Sequence, residues 1–221
     1  MTLFAPTDEA LAKVPAQDLA ALTADPQKLA QVLSYHAVGD TAFKVRGRTN
    51  DKVLTAVSGQ PVRVNLYNIL HVASAEGVKI TERDIHVDNG YVQGIDGIMV
   101  PPEGDIVDLV TKRSDMKTLG LLLSKAGLID VIKDTLLYHV VNRLTLYSVG
   151  MRDSMTFTTA DRKHDRVMLI DDGSGDIFLN HAKVTEKDIS ATNGVIHVLD
   201  EVLVPISVLL KIEEAGLSLV G

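Results

Sequence analysis

The stretch Asp84-Ile85-His86-Val87-Asp88 sets two carboxylates and an imidazole at alternate positions. On an extended strand that spacing brings all three to one face, where oxygen and nitrogen donors could hold a divalent metal. A second copy of the segment argues against this chemistry: Asp188-Ile189-Ser190-Ala191-Thr192 carries hydroxyls where the imidazole and the second carboxylate stood. A solvated strand or turn is the better reading, and no metal site is assigned. The run Asp171-Asp172-Gly173-Ser174-Gly175-Asp176 offers three carboxylates among glycines. It lacks the oxygen spacing and closing glutamate of an EF-hand loop, so it reads as a hairpin turn. For catalysis, the chain has no G-x-S-x-G, no H-E-x-x-H, no Walker loop and no G-x-G-x-x-G opening a helix. Serine, histidine and aspartate occur at no spacing that assembles a nucleophile with an oriented base. No catalytic residue and no cofactor is assigned.

Elements that would position such residues must come from an ordinary globular chain. Its 221 residues, 46% hydrophobic and 23% charged, suffice for one large domain or two of about 100 residues. The formal charge of −7, with basic residues dispersed apart from KVRGR and DRKHDR, argues against nucleic acid. It also falls short of the polyacidic runs of a dedicated calcium or mineral binder. Cysteine is absent, which removes disulfide scaffolds, thiolate catalysis and cysteine-ligated zinc while leaving the compartment open. The opening MTLFAPTDEAL shows no secretory leader, and no apolar run reaches the roughly 18 residues of a membrane span.

Duplication is the strongest organisational signal. KITERDIHVDNGYVQGIDGIMVPP, from Lys79, returns as KVTEKDISATNGVIHVLDEVLVP, from Lys183, 104 residues on. The pair Tyr35-His36 returns as Tyr138-His139, 103 residues on, so one residue was inserted between the two motifs. The loop at 171–176 is the expected place. A period near 100 residues is that of a whole domain rather than a solenoid unit.

Within a copy the pattern is mixed. Leu19 and Leu22, then Leu29, Val32 and Leu33, predict two short helices, with Pro26 early in the second, where a missing amide is tolerated. PVRVNLYNILHVA and DRVMLIDDGSGDIFLN each read as a β-hairpin. NGYVQGIDGIMVPP and NGVIHVLDEVLVP each read as an Asn-Gly turn leading into a strand halted by proline. Between the copies, residues 105–133 have the spacing of helices, with Gly127 marking a helix end.

TLFAPTDEAL, the Tyr-His pair, and the closing order of NG, D and VLVP resemble the fasciclin domain over essentially the whole chain. The resemblance implies an α+β fold: two tandem fasciclin-like β-wedge domains with flanking helices, residues 1–102 and 103–221. Both copies are expected to be incomplete. The first lacks the leading helices of the family; the second has them at 105–133 but lacks the FAPT segment, so residues 4–34 have no counterpart and the chain reads as a fragment. The second copy is therefore expected to be the weaker, exposing Leu136 and Leu137.

The same resemblance implies a secreted, non-enzymatic adhesion or matrix protein. Its expected partners are cell-surface receptors or matrix proteins, with homophilic association a further option and neither nucleic acid nor a membrane span involved. The family associates a D-I motif and the Tyr-His motif with integrin recognition; the matching residues are Asp84, Ile85, Asp188, Ile189, Tyr35, His36, Tyr138 and His139. Each has a structural alternative, with the aspartates capping a turn, the isoleucines in the core and the rings packed with satisfied imidazoles. The alternative function is a structural component of a mineralised or polysaccharide-rich matrix that binds no cell receptor.

Overall fold

Pro6 ends the first strand and Thr7 begins the first helix. Strand β1 (Thr2–Pro6) buries Thr2 and Phe4 completely, and Pro6 has no amide with which to extend a ladder. Thr7 then caps α1 (Asp8–Ala12), its side-chain oxygen accepting from the Ala10 N–H at 3.2 Å. Asp8 and Glu9 set negative charge at the positive end of that helix. Asp25 works the same way between α2 (Ala16–Ala24) and α3 (Pro26–Tyr35), accepting from the Gln27 and Lys28 amides at 3.0 and 3.1 Å. Pro26 occupies the first helical turn, where its missing N–H is no loss. Leu33, counted with the apolar face in the sequence, is 60% exposed instead.

The computed structural model describes residues 1–46, 50–67, 71–116, 135–161, 166–171, 173–206 and 208–210. These form two compact units, Met1–Glu103 with Tyr147–Gly150, and Gly104–Leu146 with Met151–Gly221.

Unit 1 adds β2 (Ala37–Val38), β3 (Lys52–Thr55), β4 (Pro61–Tyr67), β5 (Val72–Ala75), β6 (Val78–Val87) and β7 (Gly90–Ile95). They make one sheet in the order β2-β1-β7-β6-β5-β4-β3, antiparallel except where β1 runs parallel to β7. Glu76 and Gly77, both left-handed at φ 49° and 80°, form the two-residue turn from β5 into β6. Phe4, Tyr35, Val62, Val64, Ile95 and Met99 are central to the core. Tyr147 belongs to this unit as well. Fully buried, it donates its N–H to the Tyr67 hydroxyl at 3.0 Å and its own hydroxyl to Glu76 Oε2 at 3.4 Å. Its ring lies so close over Gly77 that an added Cβ would stand 2.5 Å from Cδ1.

Unit 2 opens with α4 (Ile106–Lys112), held by a reciprocal capping box between Asp105 and Asp108. A single 3₁₀ turn follows at Ser114–Met116, and residues 117–134, which hold most of the predicted 105–133 helices and Gly127, lie outside the described residues. Its sheet runs β12-β11-β10-β9-β8, from β8 (Thr156–Thr158), β9 (Arg166–Asp171), β10 (Ile177–Leu179), β11 (Ala182–Ala191) and β12 (Gly194–Leu199). The loop after Asp171 is the turn of the β9–β10 hairpin, with Gly173 and Gly175 left-handed. Among the described residues, Tyr138, Val167, Ala182 and Leu203 form one buried cluster, Leu146, Phe157 and Leu169 are buried as well, and Leu136 and Leu137 are half-buried.

The closing strands stop earlier than their prolines suggest. β7 ends at Ile95 and β12 at Leu199 because the next residue is an aspartate that turns the chain. The Asp96 N–H donates to the Lys79 carbonyl at 3.0 Å and its carboxylate accepts the Lys79 N–H at 3.1 Å; Asp200 and Lys183 repeat the exchange at 3.0 and 2.7 Å. Val140, Met168, Ile170 and Val202 leave apolar side chains of unit 2 exposed, and limited proteolysis of the whole chain is expected to cut first within residues 135–206. Mass spectrometry of the early fragments checks this, and first cuts confined to residues 1–103 would refute it.

Candidate functional site

The Tyr-His pairs stand where a helix hands the chain to the sheet. Tyr35 is fully buried and donates its hydroxyl to the Pro61 carbonyl at 2.8 Å; burial, with the Glu76 carboxylate beyond it, pushes its pKa well above the ordinary phenol value. His36 Nδ1 lies 2.7 Å from the Val32 carbonyl, and Nε2 accepts the Met99 N–H at 3.0 Å. Those partners fix the tautomer: Nδ1 carries the proton and the ring is neutral. Burial lowers the His36 pKa, opposed by the Val32 carbonyl. The second copy repeats the brace, with His139 Nδ1 2.7 Å from the Thr135 carbonyl and Nε2 accepting the Leu203 N–H at 3.1 Å. Tyr138 is buried and accepts from Asn180 Nδ2 at 3.2 Å. His139 is exposed at its surface, where its counterpart is covered. Three of these four expected receptor-contact residues are therefore core, and the fourth has both ring nitrogens engaged within its own unit.

The Asp-Ile pairs occupy an irregularity in a long strand. The ladder between β6 and β7 shifts register between Glu82 and Ile85, and the one between β11 and β12 shifts between Glu186 and Ile189. At each shift the aspartate is left-handed, Asp84 at φ 57° and Asp188 at φ 65°, a conformation that aspartate tolerates better than most residues. Asp84 Oδ1 accepts the Val45 N–H and a Gln93 Nε2 hydrogen, each at 2.9 Å, while its own N–H donates to Gln93 Oε1 at 2.9 Å. Gln93 Nε2 also reaches the Phe43 carbonyl at 3.3 Å. In unit 2 an imidazole does the work of the amide: the Asp188 N–H donates to His197 Nδ1 at 3.4 Å, and His197 Nε2 lies 2.9 Å from the Leu146 carbonyl. That arrangement requires a neutral ring protonated at Nε2. Burial lowers the His197 pKa accordingly, against the opposing pull of the Leu146 carbonyl and the Asp188 charge.

This bulge breaks the alternation on which a metal reading of Asp84, His86 and Asp88 depends, since Asp84 is not extended backbone. His86 instead meets the Tyr91 ring edge-on, centroids 5.5 Å apart, with Lys44 Nζ 4.6 Å from the same ring. What the bulge leaves outward is an apolar side chain beside a carboxylate: Ile85 is 42% exposed, and Asp84 Oδ2 accepts no hydrogen bond from the described residues. Ile189 is half-buried, so the two copies present this pair unequally.

The sequence profile of the Fasciclin domain matches residues 1–101 and again 115–205. The chain belongs to the fasciclin domain family. Among individual proteins it is similar to Transforming growth factor-beta-induced protein ig-h3 of Sus scrofa and of Oryctolagus cuniculus, each 23% identical over 236 residues that take in 92% of this chain. The alignment covers 34% of each of those proteins, so the chain spans about a third of their length. An uncharacterised protein of Synechocystis sp. is 30% identical over 99 residues, 45% of this chain and 71% of its own. Among solved structures, a FAS1 domain pair from the insect cell adhesion molecule Fasciclin I aligns over 94% of this chain and 89% of its own, at 16% identity and a TM-score of 0.39. The fasciclin domains here are α+β, each with a twisted sheet and a few short helices.

Sequence reasoning had singled out the aspartates, the isoleucines and the Tyr-His pairs, but not the residues that hold them. Gln93 and His197 share neither type nor charge, and nothing in their identity announces a common task. Asp96 with Asp200 recur at the same offset as the motif around them, a signal that was available. Two measurements test the bulge. Asp84→Ala strands two amide donors and forces alanine left-handed, so chemical denaturation should show a loss of about 2–4 kcal/mol; Asp84→Asn, keeping the acceptor and the tolerance, should cost about 1 kcal/mol or less. His36 and His197 both have pKa values below that of the unfolded chain, so each contributes stability that is present above pH 6.5 and lost as pH falls through its folded value. Urea midpoints at pH 7.5 and 5.5 should therefore fall with acid, and His197→Gln, copying unit 1, should reduce the fall.

Proposed function

We propose that this fasciclin-domain chain is a secreted adhesion or matrix protein that works by protein–protein binding, with the Asp84-Ile85 and Asp188-Ile189 bulges as its receptor contacts. The observation that carries the reading is the outward pair on the first bulge. One carboxylate oxygen of Asp84 is tied into the sheet by two hydrogen bonds while the other takes none from the described residues, and Ile85 beside it is 42% exposed. A free carboxylate oxygen on a rigid bulge can complete the metal site of an integrin-type receptor, and the adjacent isoleucine adds apolar contact area at low entropic cost.

Duplication supports the same reading, since two similar sites on one polypeptide raise avidity without new contacts. Tyr35, His36 and Tyr138 are left out of the contact set, because their buried atoms are engaged inside their own units.

The test is attachment of cells to surfaces coated with the protein. Attachment is expected, sensitive to chelation of divalent cations, and weakened at least several-fold by Asp84→Asn with Asp188→Asn, which removes charge while keeping the bulges. Full, chelation-insensitive attachment by that variant overturns the receptor contact. Absence of attachment by the unaltered protein favours a purely structural matrix role.

A further inference from the structure

Strands β7 and β12 are the same strand in the two copies, and among the described residues only β7 has a strand on its outer side. In unit 1, β1 lies along β7 in parallel, from Thr2 opposite Tyr91 to Pro6 opposite Ile95. The Tyr91 N–H donates to the Met1 carbonyl at 3.1 Å and the Thr7 N–H to the Ile95 carbonyl at 3.0 Å. With a period of two, the outward backbone groups of β7 are those of Tyr91, Gln93 and Ile95. Gln93, Gly94 and Ile95 are buried beneath the added strand.

In unit 2, β12 is the last strand of its sheet, and no strand among the described residues pairs with its outer side. The matching backbone groups are those of Val195, His197 and Leu199. Apart from the ladder to β11, these residues make, among the described residues, the hydrogen bonds of the His197 ring and no others. His197, Val198 and Leu199 are half-buried where their counterparts are covered. Helix α4 meets the beginning of this edge, where the Ile106 side chain lies against Gly194.

Edges that must stay single usually carry a lysine, a proline, a bulge on the edge strand itself, or a covering helix. Gly194-Val195-Ile196-His197-Val198-Leu199 carries no lysine, proline or formal charge. It has the chemistry of an interior strand. We propose that the outer edge of β12 is a binding site for an extended segment of another polypeptide, taken up as a parallel strand. Unit 1 specifies the occupant, because it shows the same edge filled. The ligand is an uncharged five-residue strand of the type Thr-Leu-Phe-Ala-Pro, with a small hydroxyl residue and an aromatic two apart as its buried anchors, and a proline closing the pairing. Its aromatic residue sits opposite His197, as Phe4 sits opposite Gln93. Main-chain bonds supply the affinity and the two anchors the selectivity.

The probe is a synthetic peptide with the sequence of residues 2–13, labelled at its C-terminus and titrated into the full chain. The expected result is saturable one-to-one binding with slowed hydrogen exchange at the Val195, His197 and Leu199 amides. A peptide N-methylated at the positions of Leu3 and Ala5, whose backbone faces the acceptor strand, should bind at least ten-fold more weakly with its side chains intact. Any of three results overturns the proposal. These are equal binding by the N-methylated peptide, protection confined to residues 90–95 because the peptide displaces β1, and no saturable binding to the chain at a concentration where sedimentation shows it monomeric.

Discussion

A neutral imidazole between two backbone groups is the interaction on which each copy depends. His36 ties the last turn of α3, through the Val32 carbonyl, to the segment that closes unit 1, through the Met99 amide. His139 does the same between Thr135 and Leu203. Only a side chain with a donor on one side and an acceptor on the other can bridge a helix carbonyl and a loop amide that distance apart, and only while unprotonated. The tyrosine before it anchors the same turn to the sheet. This explains why the pair travels together and why the two copies keep it although the FAPT segment is present in one alone.

The bulges are built on the same economy of backbone groups. Residues 80–87 of β6 run against the shorter span 90–95 of β7, and residues 184–191 of β11 against 194–199 of β12, so each ladder must break, and one break falls at an aspartate able to go left-handed. A residue on the partner strand then latches it. Glutamine and histidine serve equally because each offers an acceptor and a donor about an amide's width apart. The substitution is not neutral in chemistry, since only the histidine copy can be unlatched by a proton.

Much of this architecture was legible in the residues. Pro26 early in a helix and the 104-residue recurrence of the closing motif announce helices and duplication, because those features are local or repeated. The latches were not legible, since they join residues nine or more apart whose identity changes between copies. Strand ends were misplaced for a related reason. A proline is visible as a breaker, whereas Asp96 breaks the strand only because Lys79 stands opposite it. Exposure of Ile85 with burial of Tyr35 depends on which face of the wedge each meets, and no spacing rule supplies that.

Tyr147 brings in the order of synthesis. Glu76 and Gly77 are shaped to receive a ring and a hydroxyl encoded 70 residues or more downstream. A chain emerging from the ribosome therefore completes the sheet of its first unit before it owns the side chain that seals it. At roughly 5–20 residues per second the interval is several seconds, during which the pocket around Tyr67 and Glu76 is open to water. The ring that closes the first unit is thus encoded within the second repeat, so the two copies are not separable at the boundary that their sequences suggest.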